Sequence, residues 1–394
     1  MNELENRKHH ALPLIRLGII GGGQLGRMLA SKAKQMGFFV AVLDPTPHCP
    51  ASQFADLEIT GDFYEAQKLQ ELVSCSEIAT YDLEHIDAPF LKRLSESGFR
   101  IHPAPQVLEI IQDKLRQKEV LARHGIPVPR FAPADRVDIE TCSRFGFPVV
   151  QKLRWGGYDG RGVKILRMPD EVTTALPGAA LLEEYLPLAK ELAVMVARGV
   201  SGETACYPVV EMQFLTGGNV LDVLFAPARL DPHLQRRAQE ISLACVEALQ
   251  GVGVFGVELF LTTHGQLLVN EVAPRPHNSG HYTIEACASS QFEQHLRAIT
   301  GLPLASTKLL QPAVMLNILG EPDCSGAPRI EGLREALAIP GLSFHWYGKA
   351  ETRPLRKMGH VTILGEDIEE ALQKARRVKE VLKVVAVGRV GRKS

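Results

Sequence analysis

Short apolar runs separated by glycine- and proline-rich breaks recur along the chain. Residues 14–20 are apolar and run into Gly21-Gly22-Gly23-Gln24-Leu25-Gly26, and 27–36 then repeats apolar positions at helical spacing. Strand, glycine turn and helix in that order open a βαβ unit. Apolar runs at 38–43 and 78–81 continue the alternation, and 99–102 ends that sheet. Pro103 and Pro105 mark a boundary, and 106–124 reads as one helix carrying Asp113, Lys114 and Lys118. The Gly-Ile-Pro-Val-Pro string at 125–129 breaks it. A strand at 147–152 leads into a glycine-rich stretch and 162–166 leads out, a small α+β unit with a hairpin lid. Strands at 179–185 and 191–197 begin a third unit, and 231–249 is a long amphipathic helix with Arg236 and Arg237 outward. From Gly301-Leu302-Pro303 the pattern shifts again: strands at 314–318, 343–346 and 360–364 and a helix at 367–382 make a small terminal module.

Composition narrows the class. With 394 residues the chain exceeds what one core supports, so several domains are expected. Hydrophobic residues make up 45% and charged residues 23%, as in soluble globular proteins. A formal net charge of −1 argues against nucleic acid or an acidic membrane as a bulk partner, so any anion site is local. The seven cysteines are scattered, odd in number and never spaced C-x-x-C, which argues against a zinc or disulfide framework and for a reducing cytosol. No apolar run reaches membrane-spanning length, and the polar stretch 1–13 reads as a disordered tail.

Candidate chemistry concentrates in three places. Lys152-Leu-Arg-Trp-Gly-Gly-Tyr-Asp-Gly-Arg-Gly162 spends four glycines within a few residues of a strand-ending lysine. Such a stretch is a mobile cover for phosphates or a hairpin loop with turn-forming Gly and Asp. The turn Gly21–Gly26, with Asp44 closing the next apolar run, also fits a dinucleotide fingerprint with its ribose-binding acid. Asp82 and Glu84 follow another strand, where ligands sit or where acids cap a helix. The third place is a hairpin. Strands at 253–263 and 266–272 meet at His264-Gly265, and a two-residue turn there sets Thr263 opposite Gln266, Phe260 opposite Val269 and Glu258 opposite Glu271. Two carboxylates in direct opposition repel, and neither has a lysine beside it in sequence, so a divalent cation is the expected compensation. A register slip or a distant basic group is the alternative. Glu271 runs into Arg275-Pro-His277-Asn278-Ser279-Gly-His281, which is too rich in hydrogen-bonding groups for a plain loop. The motifs H-E-x-x-H, G-x-S-x-G and G-x-x-x-x-G-K-[ST] are absent.

The combination resembles the ATP-grasp superfamily, and within it the N5-carboxyaminoimidazole ribonucleotide synthetase family. The resemblance rests on Gly21 to Met28, Gly156 to Gly162, Asn270 to His281, Gln291 to Thr300 and Arg356 to His360, and runs from about residue 14 to the end. It implies α/β and α+β architecture: a Rossmann-like pre-ATP-grasp domain at 14–104, a lid subdomain at 105–178, a second ATP-grasp subdomain at 179–311 and a small α+β module at 312–394. It implies ATP held by Lys114, Lys152, the lid residues Gly157, Tyr158, Asp159, Gly160, Arg161 and Gly162, the hinge Glu183, Glu184, Tyr185 and Leu186, and Glu191, with Asn270 and Glu271 alongside. Magnesium, or manganese in its place, is expected on Glu258, Glu271 and Asn270. The second substrate would be aminoimidazole ribonucleotide. The resemblance sets its phosphate against Gly23, Gln24 and Leu25, Lys349, Arg356 and Lys357, and its ring near Glu84, Tyr158, Arg275, His277, Asn278 and Ser279. Asp82 stands where the family often has Glu, and Lys114 where arginine also occurs. A homodimer is what the family suggests.

The implied reaction turns bicarbonate into carboxyphosphate with ATP, then carboxylates an amine. Lys152 would stabilise the transferring phosphoryl group, Arg275 would hold a carboxylate, Asp159 would take the amine proton and His277 would orient. The rivals are a nicotinamide oxidoreductase, another ATP-grasp ligase such as a formate-using transformylase or a biotin carboxylase, and a non-catalytic nucleotide sensor.

Overall fold

The computed structural model describes residues 14–157, 162–215 and 220–387, and they divide into two compact units that meet in sequence between His102 and Pro103. The first unit runs β1 (Arg16–Ile20), α1 (Gln24–Gln35), β2 (Phe39–Asp44), β3 (Leu57–Thr60), α2 (Ala66–Ser74), β4 (Ile78–Tyr81) and α3 (Ala88–Glu96). Its strands form a parallel sheet in the order β3-β2-β1-β4. The centre is apolar on both faces, as buried parallel strands require: Leu17, Ile19, Val40, Val42 and Tyr81 are all fully enclosed. Residues 99–102 contribute a single bridge between Ala79 and Ile101 instead of the expected full strand.

The second unit opens with α4 (Pro105–Gln112) and α5 (Lys114–Arg123) where one helix was expected. Asp113 causes the break. Its backbone is extended and its carboxylate caps α5 by accepting from the backbone N–H of Leu115. Next come β5 (Phe131–Ala134), α6 (Ile139–Phe145), β6 (Val149–Leu153), β7 (Val163–Leu166) and β8 (Ala180–Glu184). These strands make an antiparallel sheet in the order β5-β8-β6-β7. Thus β8, expected to start a third unit, lies inside the lid sheet between β5 and β6.

Then follow β9 (Leu188–Arg198), β10 (Thr204–Cys206), β11 (Val210–Phe214), β12 (Leu221–Ala226), α7 (Pro232–Leu249), β13 (Gly253–Thr262), β14 (Leu267–Ala273), α8 (Thr283–Ala286) and α9 (Gln291–Thr300). The last stretch holds β15 (Ala313–Leu319), β16 (Pro328–Glu331), α10 (Leu333–Leu337), β17 (Leu342–Trp346), β18 (Lys357–Leu364), α11 (Ile368–Val381) and β19 (Lys383–Ala386). A sheet in the order β14-β13-β9-β11-β12-β15-β18-β17, with β10 beside β9, runs through both stretches. The terminal segment is therefore no separate layer: β15 hydrogen-bonds to β12 and carries β18 and β17 with it. Among the described residues of this segment, β16 and β19 pair apart from it. The helix expected at 231–249 begins with Asp231 capping the N–H groups of His233 and Leu234. It packs Ala238, Ile241, Cys245 and Leu249 against β9 and β13.

Candidate active site

The edge of the large sheet carries the carboxylates. In the β13–β14 hairpin, Leu261 pairs with Leu267, Phe260 with Leu268 and Leu259 with Val269. This is one residue off the pairing expected from a two-residue turn, because the loop spans Thr263, His264 and Gly265 and Thr262 N–H bonds Gln266 O. A bulge between Glu258 and Leu259 then shifts the register back, so Glu258 stands opposite Glu271. Asn270 is the extra residue of that bulge, and its Nδ2 donates to Glu258 Oε2 at 3.1 Å. Burial and the neighbouring Glu271 push the Glu258 carboxyl up.

Helix α5 docks on the open edge of β14 and satisfies it with side chains, not with another strand. Gln117 makes a reciprocal pair with the backbone of Val272, at 3.0 and 2.9 Å, and Lys118 Nζ donates to Val269 O at 2.8 Å. One turn earlier on the same face, Lys114 Nζ lies 3.0 Å from Glu271 Oε2. The Glu271 side chain is 42% exposed, so Lys114, ahead of any effect of burial, holds its carboxyl below the usual range. The charge compensation that sequence spacing assigned to a cation is thus supplied in part by a lysine 157 residues away.

The lid sheet faces this edge with Lys152. Its Nζ lies 2.7 Å from Glu183 Oε2 on β8 and donates to Asn270 Oδ1 at 2.8 Å. The Lys118 ammonium is 3.0 Å from the other Glu183 oxygen. Burial alone would raise the Glu183 carboxyl, but the two lysines outweigh it and hold it low. The other hinge residues diverge. Glu184 accepts from the Arg130 backbone at 2.7 Å, Tyr185 is exposed beneath Arg167, and Leu186 follows at the strand end. Glu191 sits on β9 opposite Phe260 of β13, its carboxyl raised by burial. Gly157 and Gly162 close the lid loop against each other: a Cβ on Gly162 would lie 3.0 Å from the Gly157 Cα. Tyr158, Asp159, Gly160 and Arg161 lie outside the described residues. Arg154, two residues past Lys152, donates to Asp113 Oδ1 at 3.0 Å and ties the lid to the start of α5.

The polar segment after Glu271 is packed to a defined shape. His277 Nδ1 is 2.8 Å from Ser279 Oγ, and its Nε2 is 3.7 Å from Glu258 Oε1. Gly256 makes room for it, since a Cβ there would meet the His277 Cβ at 2.7 Å. Gln291 fixes the His277 backbone through two hydrogen bonds of 2.8 Å. Asn278 forms a reciprocal amide pair with Asn317 on β15, at 3.0 and 2.8 Å. Arg275 donates to Pro276 O at 3.2 Å. Farther on, Lys349 Nζ donates to Lys357 O at 2.7 Å, and Arg356 beside it donates to Glu351 O at 2.8 Å. Burial pulls the Arg356 guanidinium down.

The glycine turn of the first unit has its own logic. Asp44 Oδ2 accepts from Gly22 N and its Oδ1 from Thr46 N, both at 2.8 Å. Asp82 Oδ2 accepts from Gly26 N at 2.7 Å. Gly21 has φ +105°, and a Cβ there would overlap Asp82 Oδ1 at 1.7 Å. The two acids hold the turn itself, both Asp44 oxygens accepting from backbone N–H groups, with Gly23, Gln24 and Leu25 leading α1. Glu84 lies just past the end of β4, half-buried.

In kind, the donors at this edge fit a hard divalent cation. Glu258, Glu271 and the Asn270 amide oxygen are hard oxygen donors on adjacent strand positions. Among the described residues no group of three or more His, Cys, Asp and Glu is placed to hold a metal. A two-carboxylate set suits magnesium, which fills its shell with phosphates and water, and not zinc.

Family comparisons agree along the chain. A ribonucleotide synthetase preATP-grasp domain matches residues 14–112, an ATP-grasp domain 119–292, and a phosphoribosylaminoimidazole carboxylase C-terminal domain 313–374. The N5-carboxyaminoimidazole ribonucleotide synthase of Synechococcus elongatus is 42% identical over 360 residues, covering 89% of this chain and 90% of that one. The chloroplastic phosphoribosylaminoimidazole carboxylase of Vigna aconitifolia is 40% identical over 361 residues, 89% of this chain, and the match spans only 64% of that longer protein. The crystal structure of the synthetase from Thermotoga maritima superposes with a TM-score of 0.89 at 55% identity, covering 95% of this chain and all of that one. The Aspergillus clavatus synthase, solved with ADP and 5-aminoimidazole ribonucleotide, gives 0.85 at 34% identity, covering 93% and 98%. With fold and comparisons in agreement, the chain belongs to the N5-carboxyaminoimidazole ribonucleotide synthase family, ATP-grasp ligases of purine biosynthesis.

Proposed function

We propose that this chain carboxylates the exocyclic amine of 5-aminoimidazole ribonucleotide, consuming ATP and bicarbonate and releasing ADP and phosphate. The observation that carries the residue assignments is the opposed pair Glu258 and Glu271, bridged by Asn270 and flanked by Lys114 and Lys152. A bicarbonate oxygen attacks the γ-phosphorus and the bond to ADP breaks, giving carboxyphosphate. That species splits into CO₂ and phosphate, the amine attacks the carbon, and loss of one proton leaves the N-carboxylate. Lys152 and Lys114 neutralise oxygens of the transferring phosphoryl group. Glu258, Glu271 and Asn270 would hold magnesium, which would supply charge neutralisation on the polyphosphate. Arg275 forks onto a carboxylate, His277 orients, Asp159 accepts the amine proton, and Glu191 with the 183–186 hinge holds the nucleoside, Glu183 through its backbone alone since its carboxylate lies between Lys118 and Lys152. Lys349, Arg356 and Lys357 take the phosphate of the ribonucleotide. A homodimer in the cytoplasm completes this reading.

ADP release in the presence of aminoimidazole ribonucleotide, with and without bicarbonate, tests the reaction. Absence of bicarbonate dependence points to a formate-using transformylase or another ligase, and nucleotide binding without turnover to a sensor. Glu271→Gln should lose magnesium-dependent turnover while staying folded; normal activity would refute the metal pair.

A further inference from the structure

Two buried lysines share one buried carboxylate. Lys118 and Glu183 side chains are 3% and 2% exposed and lie 3.0 Å apart, while Lys152 reaches the second Glu183 oxygen at 2.7 Å. The three groups sum to one net positive charge. Lys118 is fixed besides by the Val269 carbonyl, whereas Lys152 is the member that also reaches Asn270. A carboxylate between two ammoniums cannot neutralise both. We propose that Lys118 is a positioning residue that neutralises Glu183, leaving the charge of Lys152 available to the phosphates of ATP. The inference rests on the assignment of Lys152 to those phosphates. Burial brings the Lys118 ammonium down to about 8, and Glu183 opposes that fall as Lys118 opposes the effect of burial on Glu183, so each partner holds the other's charge.

Charge bookkeeping makes this testable apart from packing. In Lys118→Met, Glu183 and Lys152 become a neutral pair, and Mg–ADP should bind about tenfold more weakly. In the double variant Lys118→Met/Glu183→Gln the carboxylate is gone, the charge of Lys152 is again uncompensated, and most of the affinity should return. Lys118→Arg, which keeps the charge, should stay within about threefold of the parent. Mg–ADP affinity by calorimetry, with circular dichroism as the check on folding, reads all four proteins. A merely structural lysine predicts instead that the double variant binds no better than Lys118→Met; that result, or a change under twofold in Lys118→Met, overturns the proposal. Bicarbonate-dependent ADP release by the parent is scored separately, so a wrong reaction and a wrong role for Lys118 give different outcomes.

Discussion

Glu258→Gln should make the metal-free protein more stable at alkaline pH, and the sign follows from proton linkage. Burial, then Glu271 and Glu191, raise the Glu258 carboxyl to about 8, against an ordinary value of about 4.3 for Glu. Between those values the folded state binds the proton that the unfolded chain has released. Stability therefore falls as pH rises through that window, by the relation between proton binding and unfolding free energy. Full conversion of the gap gives about 5 kcal/mol above pH 8. That is an upper bound: the proton is shared with Glu271, Asn270 donates to the charged form, and the side chain keeps 15% exposure. An expected gain of about 1–2 kcal/mol in the glutamine variant remains, or roughly 2–3 °C in Tm. Thermal melts in EDTA at pH 5.5 and pH 8.5 check it. The variant should match the parent at the lower pH, where Glu258 is already neutral, and exceed it at the higher. Equal melting temperatures at both pH values would show that the two carboxylates do not oppose each other as described. Saturating Mg–ADP should reverse the order at pH 8.5, because only the parent gains the cation.

Three further outcomes follow from the geometry. Asp82→Ala removes the buried acceptor of Gly26 N and should cost the first unit about 1–3 kcal/mol by urea unfolding; an unchanged midpoint contradicts its role in holding the turn. Asp113→Ala removes the α5 cap and the partner of Arg154, so about 1–2 kcal/mol of stability should go, with a higher KM for ATP as the lid loosens; a normal KM separates the cap from the lid. Gly256→Ala would drive a Cβ into His277, and should lower kcat while leaving Mg–ADP affinity within about twofold; equal kcat would show that the ring moves aside without consequence.

Legibility in the sequence followed how local each determinant was. The strand at 78–81 and the helix from Asp231 to Leu249 emerge as read, because apolar spacing and a capping acid specify them within their own residues. The division of 106–124 was missed although its cause, Asp113, stood in plain view. An acid inside a helical pattern reads as surface until its side chain is seen to cap the next helix and bind Arg154. What could not be read was partnership across the chain. Nothing near Glu271 announces Lys114, and nothing near Glu183 announces that it lies between Lys118 and Lys152. The same limit hid β8 in the lid sheet and β15 beside β12, since strands of similar pattern carry no mark of which neighbour they take.

The hairpin shows how a correct pairing can rest on an incorrect count. A two-residue turn was assumed and the loop has three, which by itself would have set Glu258 opposite Asn270 and sent Glu271 to the other side of the pleat. The bulge restores the pairing by inserting one residue, and that residue is Asn270. Without the bulge, Glu271 and Asn270 would alternate faces, and only one could join Glu258. With it, Asn270 stays in reach of Glu258 and of Lys152 while Glu271 holds Lys114. The irregularity that periodicity cannot predict is thus the feature that gathers three oxygen-bearing side chains and two lysines at one edge of the sheet. Its cost, opposed carboxylates in a half-buried place, is what the pH dependence of Glu258→Gln would measure.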